Sequence, residues 1–305
     1  MAIFPWLSLA LNVVLLAGLV LLYRMTKIQF DRVKHITRVE VKRLEQELER
    51  SVGNERKALR EDFGKLRERL NREIGRPGRE TAKVVESVKR MLVTSTQQIE
   101  WRAVLCERLG WSFGRIPATR NWAASPDFLV ELVEQVQARR PKVIVECGSG
   151  VSTLVLARAL ELNGEGAVWS LDETAEFGAL TRRRLEALGL GAHAHVIVAE
   201  PRPLGEDLAD QWYDLAALEA LPETIDLLVV DGPQQSLGRH GRRPAIDHLF
   251  PRLGPGGAAI FDDANREIER GFPHYVAENF PGWEARKLPC EKGAWLFTFG
   301  GAEAG

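Results

Sequence analysis

The sequence predicts an α/β protein built on a doubly wound, mostly parallel sheet that closes with an antiparallel hairpin. Three observations lead there. Short apolar runs, KVIVE, AVWSLD, HVIVAE, IDLLVVD and AAIFDD, recur between residues 142 and 263, each ending in or just before a carboxylate. Helix-patterned segments separate most of them, the alternation that a parallel sheet with crossover helices requires. A glycine-rich turn, ECGSG at 146–150, joins the first run to the helix after it.

The regions ahead of that domain follow from charge and periodicity. Residues 1–23 carry no charged side chain, and Trp6 and Tyr23 sit near the ends of the apolar run. About 20 apolar residues span the hydrocarbon core of a bilayer. No Lys or Arg precedes the run, as a cleaved signal peptide would want. Arg24, Lys27, Arg32, Lys34, Arg38, Lys42 and Arg43 follow it. Residues 1–24 are therefore expected to be a single-pass transmembrane anchor in the inner (plasma) membrane, with everything after it cytoplasmic. Residues 25–76 are rich in Glu, Lys, Arg and Leu. Val41, Leu44 and Leu48 fit a heptad, and Leu59, Phe63, Leu66 and Leu70 continue an apolar stripe out of phase with it. That pattern predicts an imperfect coiled coil, and with it a homo-oligomer, most simply a parallel dimer. A solvated single helix laced by ion pairs is the alternative. Pro77 and Gly78 break the helix. Residues 77–124 read as a helical linker, with a helix over about 81–109 presenting Val84, Val88, Met91 and Leu92 on one face.

Residues 125–305 form the α/β domain. Ser125 stands at a helix N-cap position with Pro126 at the first helical position. The chain's formal net charge of −1 argues against general nucleic-acid binding, which wants a basic surplus. Its three cysteines, Cys106, Cys147 and Cys290, are widely spaced and odd in number, which excludes a disulfide scaffold and a structural zinc site.

Ligands of doubly wound sheets bind at the carboxyl ends of the strands, where the recurring acids fall. Gly148 and Gly150 let the backbone turn sharply and approach a ligand. Ser152 and Thr153 can cap the following helix. The third glycine of a dinucleotide fingerprint is absent, its place held by Thr153, and Glu146 would repel a pyrophosphate. That disfavours a nicotinamide-dependent oxidoreductase. Asp172, at the end of the second run, can accept from both hydroxyls of a ribose. Glu146 and Asp172 together suit a nucleoside without phosphates and with a cationic tail, properties that S-adenosylmethionine has.

VECGSGVST resembles motif I of the class I S-adenosylmethionine-dependent methyltransferases. WSLDET resembles the acidic loop that follows it, DLLVVDGP the fourth-strand motif and LGPGGAAIFDDANR the fifth strand with its preceding turn. GWEARKLPCEKGAWLFTF resembles the closing hairpin. The resemblance covers about residues 125–300. It implies that Glu146, Gly148 and Gly150 line the methionine moiety, that Asp172 holds the ribose and that Glu200 lies near the adenine. In the catechol-type O-methyltransferases, acids at the ends of the fourth and fifth strands hold a divalent metal. Asp231 and Asp263 match that pattern and Asp262 could join them, although Ala264 stands where the family has Asn. The alternative is that Asp231 and Asp262 cap loops or pair with Arg243 and Arg266. His240, in the loop after the fourth strand, is the best candidate for a general base. The expected activity is methyl transfer, most simply to oxygen, with a small-molecule or lipid-linked, cell-envelope-related acceptor. A catalytically silent coiled-coil scaffold that binds S-adenosylmethionine is the alternative.

Overall fold

The computed structural model describes residues 79–120, 122–205, 207–237 and 241–300, together with Lys65 and Glu68, both helical. The expected anchor lies outside the described residues, and so does the expected coiled coil apart from those two positions. No helix among the described residues is long and apolar enough to cross a membrane. The chain divides into two compact units, one of residues 1–103 and 112–119, the other of residues 104–111 and 120–305.

In the first unit the described part is most of helix α1 (Arg79–Leu109) and the segment at 112–119. Arg102 organises it. Its guanidinium is buried, donates to the carbonyls of Phe113 at 3.0 Å, Ile116 at 2.7 Å and Pro117 at 3.3 Å, and lies 4.4 Å above the Phe113 ring. A buried cation is tolerated because carbonyls and a ring face replace its water.

The second unit contains the sheet. Its strands are β1 (Val143–Cys147), β2 (Ala167–Asp172), β3 (Ala194–Val198), β6 (Ile225–Val230), β7 (Leu253–Asp262), β8 (Trp283–Leu288) and β9 (Ala294–Phe299), in the order β3-β2-β1-β6-β7-β9-β8. The first five are parallel to one another, and β9 runs antiparallel to both β7 and β8. The runs expected to be strands are strands, because Val, Ile, Leu and Phe fill positions covered on both faces. Strand order reverses between β1 and β6, so the ends of these two strands form the switch point.

Helices α2 (Pro126–Arg139), α3 (Val151–Asn163), α4 (Ala175–Leu188), α5 (Arg243–Leu249) and α6 (Phe272–Asn279) complete the unit. Alternation along each strand sends side chains to opposite faces. Val145 and Cys147 point to one core, shared with Leu171, Phe250, Phe261 and Phe297. Glu146 and Ser170, paired in register, point to the other face, where Thr153 of α3 meets them.

Two details differ from expectation. Ser125 occupies the N-cap position of α2 but makes no cap hydrogen bond, and its hydroxyl is buried without a partner. Asp127, in the first turn, instead receives the N–H of Phe128 at 2.8 Å and of Glu291 at 2.6 Å, tying the helix to the turn between β8 and β9. The second difference is an added hairpin. β4 (Pro201–Leu204) pairs antiparallel with β5 (Asp207–Tyr213) as a separate two-stranded sheet. Its last residues, Trp212 and Tyr213, are fully buried, with Trp212 stacked 5.5 Å from His248 of α5.

Candidate functional site

The ends of β1, β2 and β6 meet through backbone hydrogen bonds. The N–H of Gly148 donates to Leu171 O at 2.9 Å, and those of Asp231 and Gly232 both donate to Cys147 O, at 2.9 and 2.7 Å. The two glycines of the turn have different reasons to be glycine. Gly148 has φ of +100°, and a Cβ there would stand 3.0 Å from Gly232 N. It is demanded by the protein's own packing. Gly150 has an extended φ of 162°, and a Cβ there would meet nothing within 4 Å. Neither backbone nor packing requires glycine at 150, and the missing side chain leaves open space beside the α3 N-terminus. Such a cradle suits a ligand that approaches the backbone closely.

Glu146 does not face that space as a free carboxylate. It is fully buried, and its Oε2 accepts the hydroxyls of Thr153 at 2.6 Å and of Ser170. Thr153 in turn accepts the N–H of Gly150 at 2.9 Å, so a single hydroxyl links the acid to the turn. Burial raises the Glu146 pKa to about 7, against the lowering effect of the Ser152, Ser170 and Thr153 hydroxyls. Through Oε2 it holds the turn's shape, while Oε1 is buried without a hydrogen-bond partner. Ser152 is buried beside it.

Asp172 is almost fully buried. Its Oδ1 accepts from Thr174 N at 2.9 Å, and its Oδ2 from the Ser149 hydroxyl. Thr174, not Asp172, caps α4, its hydroxyl receiving the N–H of Phe177 at 3.2 Å. The Thr174 hydroxyl also donates to Oδ1, at 3.3 Å, so of about four acceptor positions Asp172 retains about one for a ribose hydroxyl. Glu200 stands apart. It is exposed, and its carboxylate pairs with Arg202 at 3.6 Å. His240 lies outside the described residues.

Asp231, Asp262 and Asp263 converge, with one carboxylate oxygen from each within 4.8 Å of the others. Sequence reasoning missed what joins them. Arg242, at the N-cap of α5, is buried and sends Nη2 to Asp231 Oδ1 at 3.1 Å and to Asp263 Oδ2 at 2.7 Å. Arg266 adds a contact to Asp263 at 2.9 Å, and Lys292 stands 3.8 Å from Asp262. The pairing expected with Arg243 belongs to Arg242; Arg243 pairs with Asp247 at 3.7 Å. Burial pushes the carboxyls of Asp231 and Asp262 up, and Arg242 opposes the shift in both. A buried guanidinium already occupies one oxygen each of Asp231 and Asp263, which argues against a divalent metal here, whereas both carboxylate oxygens of Asp262 are buried without a hydrogen-bond partner. The missed signal was charge counting. Three acids at two adjacent strand ends need cations, and the intervening loop carries Arg239, Arg242 and Arg243.

One family model matches part of the chain. Residues 145–264 match a family model described as a methyltransferase domain. That span includes Glu146, Asp172, Glu200, Asp231, Asp262 and Asp263. No curated protein matches the chain. Among solved structures, the chain is similar to an SAH-bound methyltransferase of Podospora anserina, with 18% identity and a TM-score of 0.46 over 64% of this chain and 87% of that one. It is similar to an O-methyltransferase of Bacillus cereus in complex with SAH, with 21% identity and a TM-score of 0.46 over 66% and 90%. An O-methyltransferase of Streptomyces achromogenes in complex with SAM has 17% identity and a TM-score of 0.46 over 67% and 90%.

Proposed function

We propose that the chain is an S-adenosylmethionine-dependent methyltransferase that methylates an oxygen of a small-molecule or lipid-linked acceptor from the cytoplasmic face of a membrane. The observation that carries the cofactor is the open space at Gly150, beside the N-terminus of α3 and between the ends of β1 and β2. Asp172 supplies an acceptor for a ribose hydroxyl.

The reaction is an in-line displacement. The acceptor oxygen forms a bond to the methyl carbon, the carbon–sulfur bond breaks, and its electron pair stays on sulfur. S-Adenosylhomocysteine leaves. The acceptor's proton goes to Asp231, whose side chain is the most exposed of the three clustered acids at 13% and whose burial favours the protonated form. Asp231 and Arg242 stay paired, so the base is held in one orientation through the step. Asp263 contributes by fixing Arg242 from the other side.

Membrane attachment rests on the uncharged run at 1–23 and the basic residues after it. A coiled coil over residues 25–76 would pair two copies leaving the same membrane face. Membranes from cells that produce the chain, given methyl-labelled S-adenosylmethionine, should transfer label to a solvent-extractable product. Membranes carrying Asp172→Ala should not. Label confined to the soluble fraction, or equal with both, contradicts the reading.

A further inference from the structure

We propose that the Arg242 guanidinium is the built-in cation of the acid cluster, taking the ground between the Asp231 and Asp263 carboxylates that a divalent ion would otherwise hold, so that the site works without metal.

The donor set carries the argument. Nη2 of Arg242 donates to Asp231 O, to Asp231 Oδ1 at 3.1 Å and to Asp263 Oδ2 at 2.7 Å, while Nη1 donates to Asp262 O at 2.9 Å. Four oxygens from the ends of two adjacent strands thus converge on one planar fork, a geometry that guanidinium matches and a point charge does not. The arginine is 3% exposed, so its charge is not shared with water. Its removal would leave buried carboxylates uncompensated. Asp231, Asp262 and Asp263 are three acids, and Arg242, Arg266 and Lys292 are three cations, all within 3.8 Å of one of them. A magnesium ion asks for near-octahedral oxygens at about 2.0–2.1 Å. Here two of the carboxylate oxygens it would need are engaged, and a buried positive charge stands between them.

The local backbone is built to deliver this arginine. Gly241, with φ of +55°, precedes it; a Cβ there would come 3.2 Å from Glu269 Oε1. Pro244 follows in the first turn of α5. The loop is therefore pinned on both sides of Arg242, which acts as a positioning residue for Asp231.

The test is a Mn²⁺ titration of the chelator-stripped full chain, read by the paramagnetic resonance signal of free Mn²⁺, so it does not depend on methyl transfer. Wild-type protein and Arg242→Lys should leave the ion free. Arg242→Met, which keeps the stem and removes the charge, should take up one ion at least about tenfold more tightly than wild type. Adding Asp231→Asn to that variant should abolish the uptake. One ion bound by wild type and lost in Asp231→Asn overturns the proposal, as does a folded Arg242→Met that leaves Mn²⁺ free. If Arg242→Met does not fold, the wild-type and Asp231→Asn titrations decide alone.

Discussion

Gly148 and Gly150 are two residues apart and answer to different demands. At Gly148 a side chain meets the backbone of Gly232 and a left-handed φ. Gly148→Ala should therefore destabilise the fold by about 1–3 kcal/mol. At Gly150 a Cβ enters open space, so Gly150→Ala should shift stability by no more than about 0.5–1 kcal/mol while weakening cofactor binding. Thermal denaturation of both variants, with and without S-adenosylmethionine, separates the two roles. Equal destabilisation would contradict the division. Glu146 offers a second test. Burial raises its pKa from 4.5 to about 7 in the fold. Between those values the unfolded chain has lost the proton and the folded chain retains it, so stability falls as pH rises through that window and levels off above it. Glu146→Gln keeps an acceptor for Thr153 and Ser170 without the ionisation. Its stability relative to wild type should rise by up to about 3 kcal/mol between pH 4.5 and 7. A pH-independent difference would show that Glu146 is not the group responsible.

At the scale of elements, the central strands β1, β2, β6 and β7 are plain in the sequence because their apolar runs are buried on both faces, whereas the edge strand β8 is largely exposed. The β4–β5 hairpin is not plain in the sequence. Pro201 and Pro203 remove two backbone donors from β4, and Asp207 and Asp210 dilute β5, so neither segment carries a strand's period. Only its buried end, Trp212 and Tyr213, signals an element, and aromatic pairs read equally well as loop packing. Trp212 sits against Tyr213 at 5.3 Å and His248 at 5.5 Å. Trp212→Ala should cost about 3–5 kcal/mol, read as a lowered denaturation midpoint, because a ring of that size leaves a cavity under the hairpin. A loss below about 1 kcal/mol would mean that the hairpin is only loosely joined to the sheet. The site was legible to a similar extent. Strand-end acids at 146, 172, 231, 262 and 263 stand out because they interrupt apolar runs. Arg242 and Ser149 lie in turns without periodicity, where only the need to balance charge and satisfy donors could have pointed to them.

At the scale of the molecule, the described α/β unit has its strand order reverse between β1 and β6, with open space at the position a Cβ of Gly150 would take. The fold alone supports many chemistries. What narrows them is the pairing of an open glycine at 150 with an acceptor at Asp172. Asp172 already receives Thr174 N and the Ser149 hydroxyl, so its replacement must be checked for folding before binding is read. The most direct measurement is a calorimetric titration of S-adenosylmethionine into the full chain and into folded Asp172→Ala. One site per chain is expected in wild type, weakened at least about tenfold in the variant, since each charge-assisted hydrogen bond lost is worth roughly 1.5–3 kcal/mol. No binding to wild type, or undiminished affinity in folded Asp172→Ala, would contradict the assignment of the cofactor to this site.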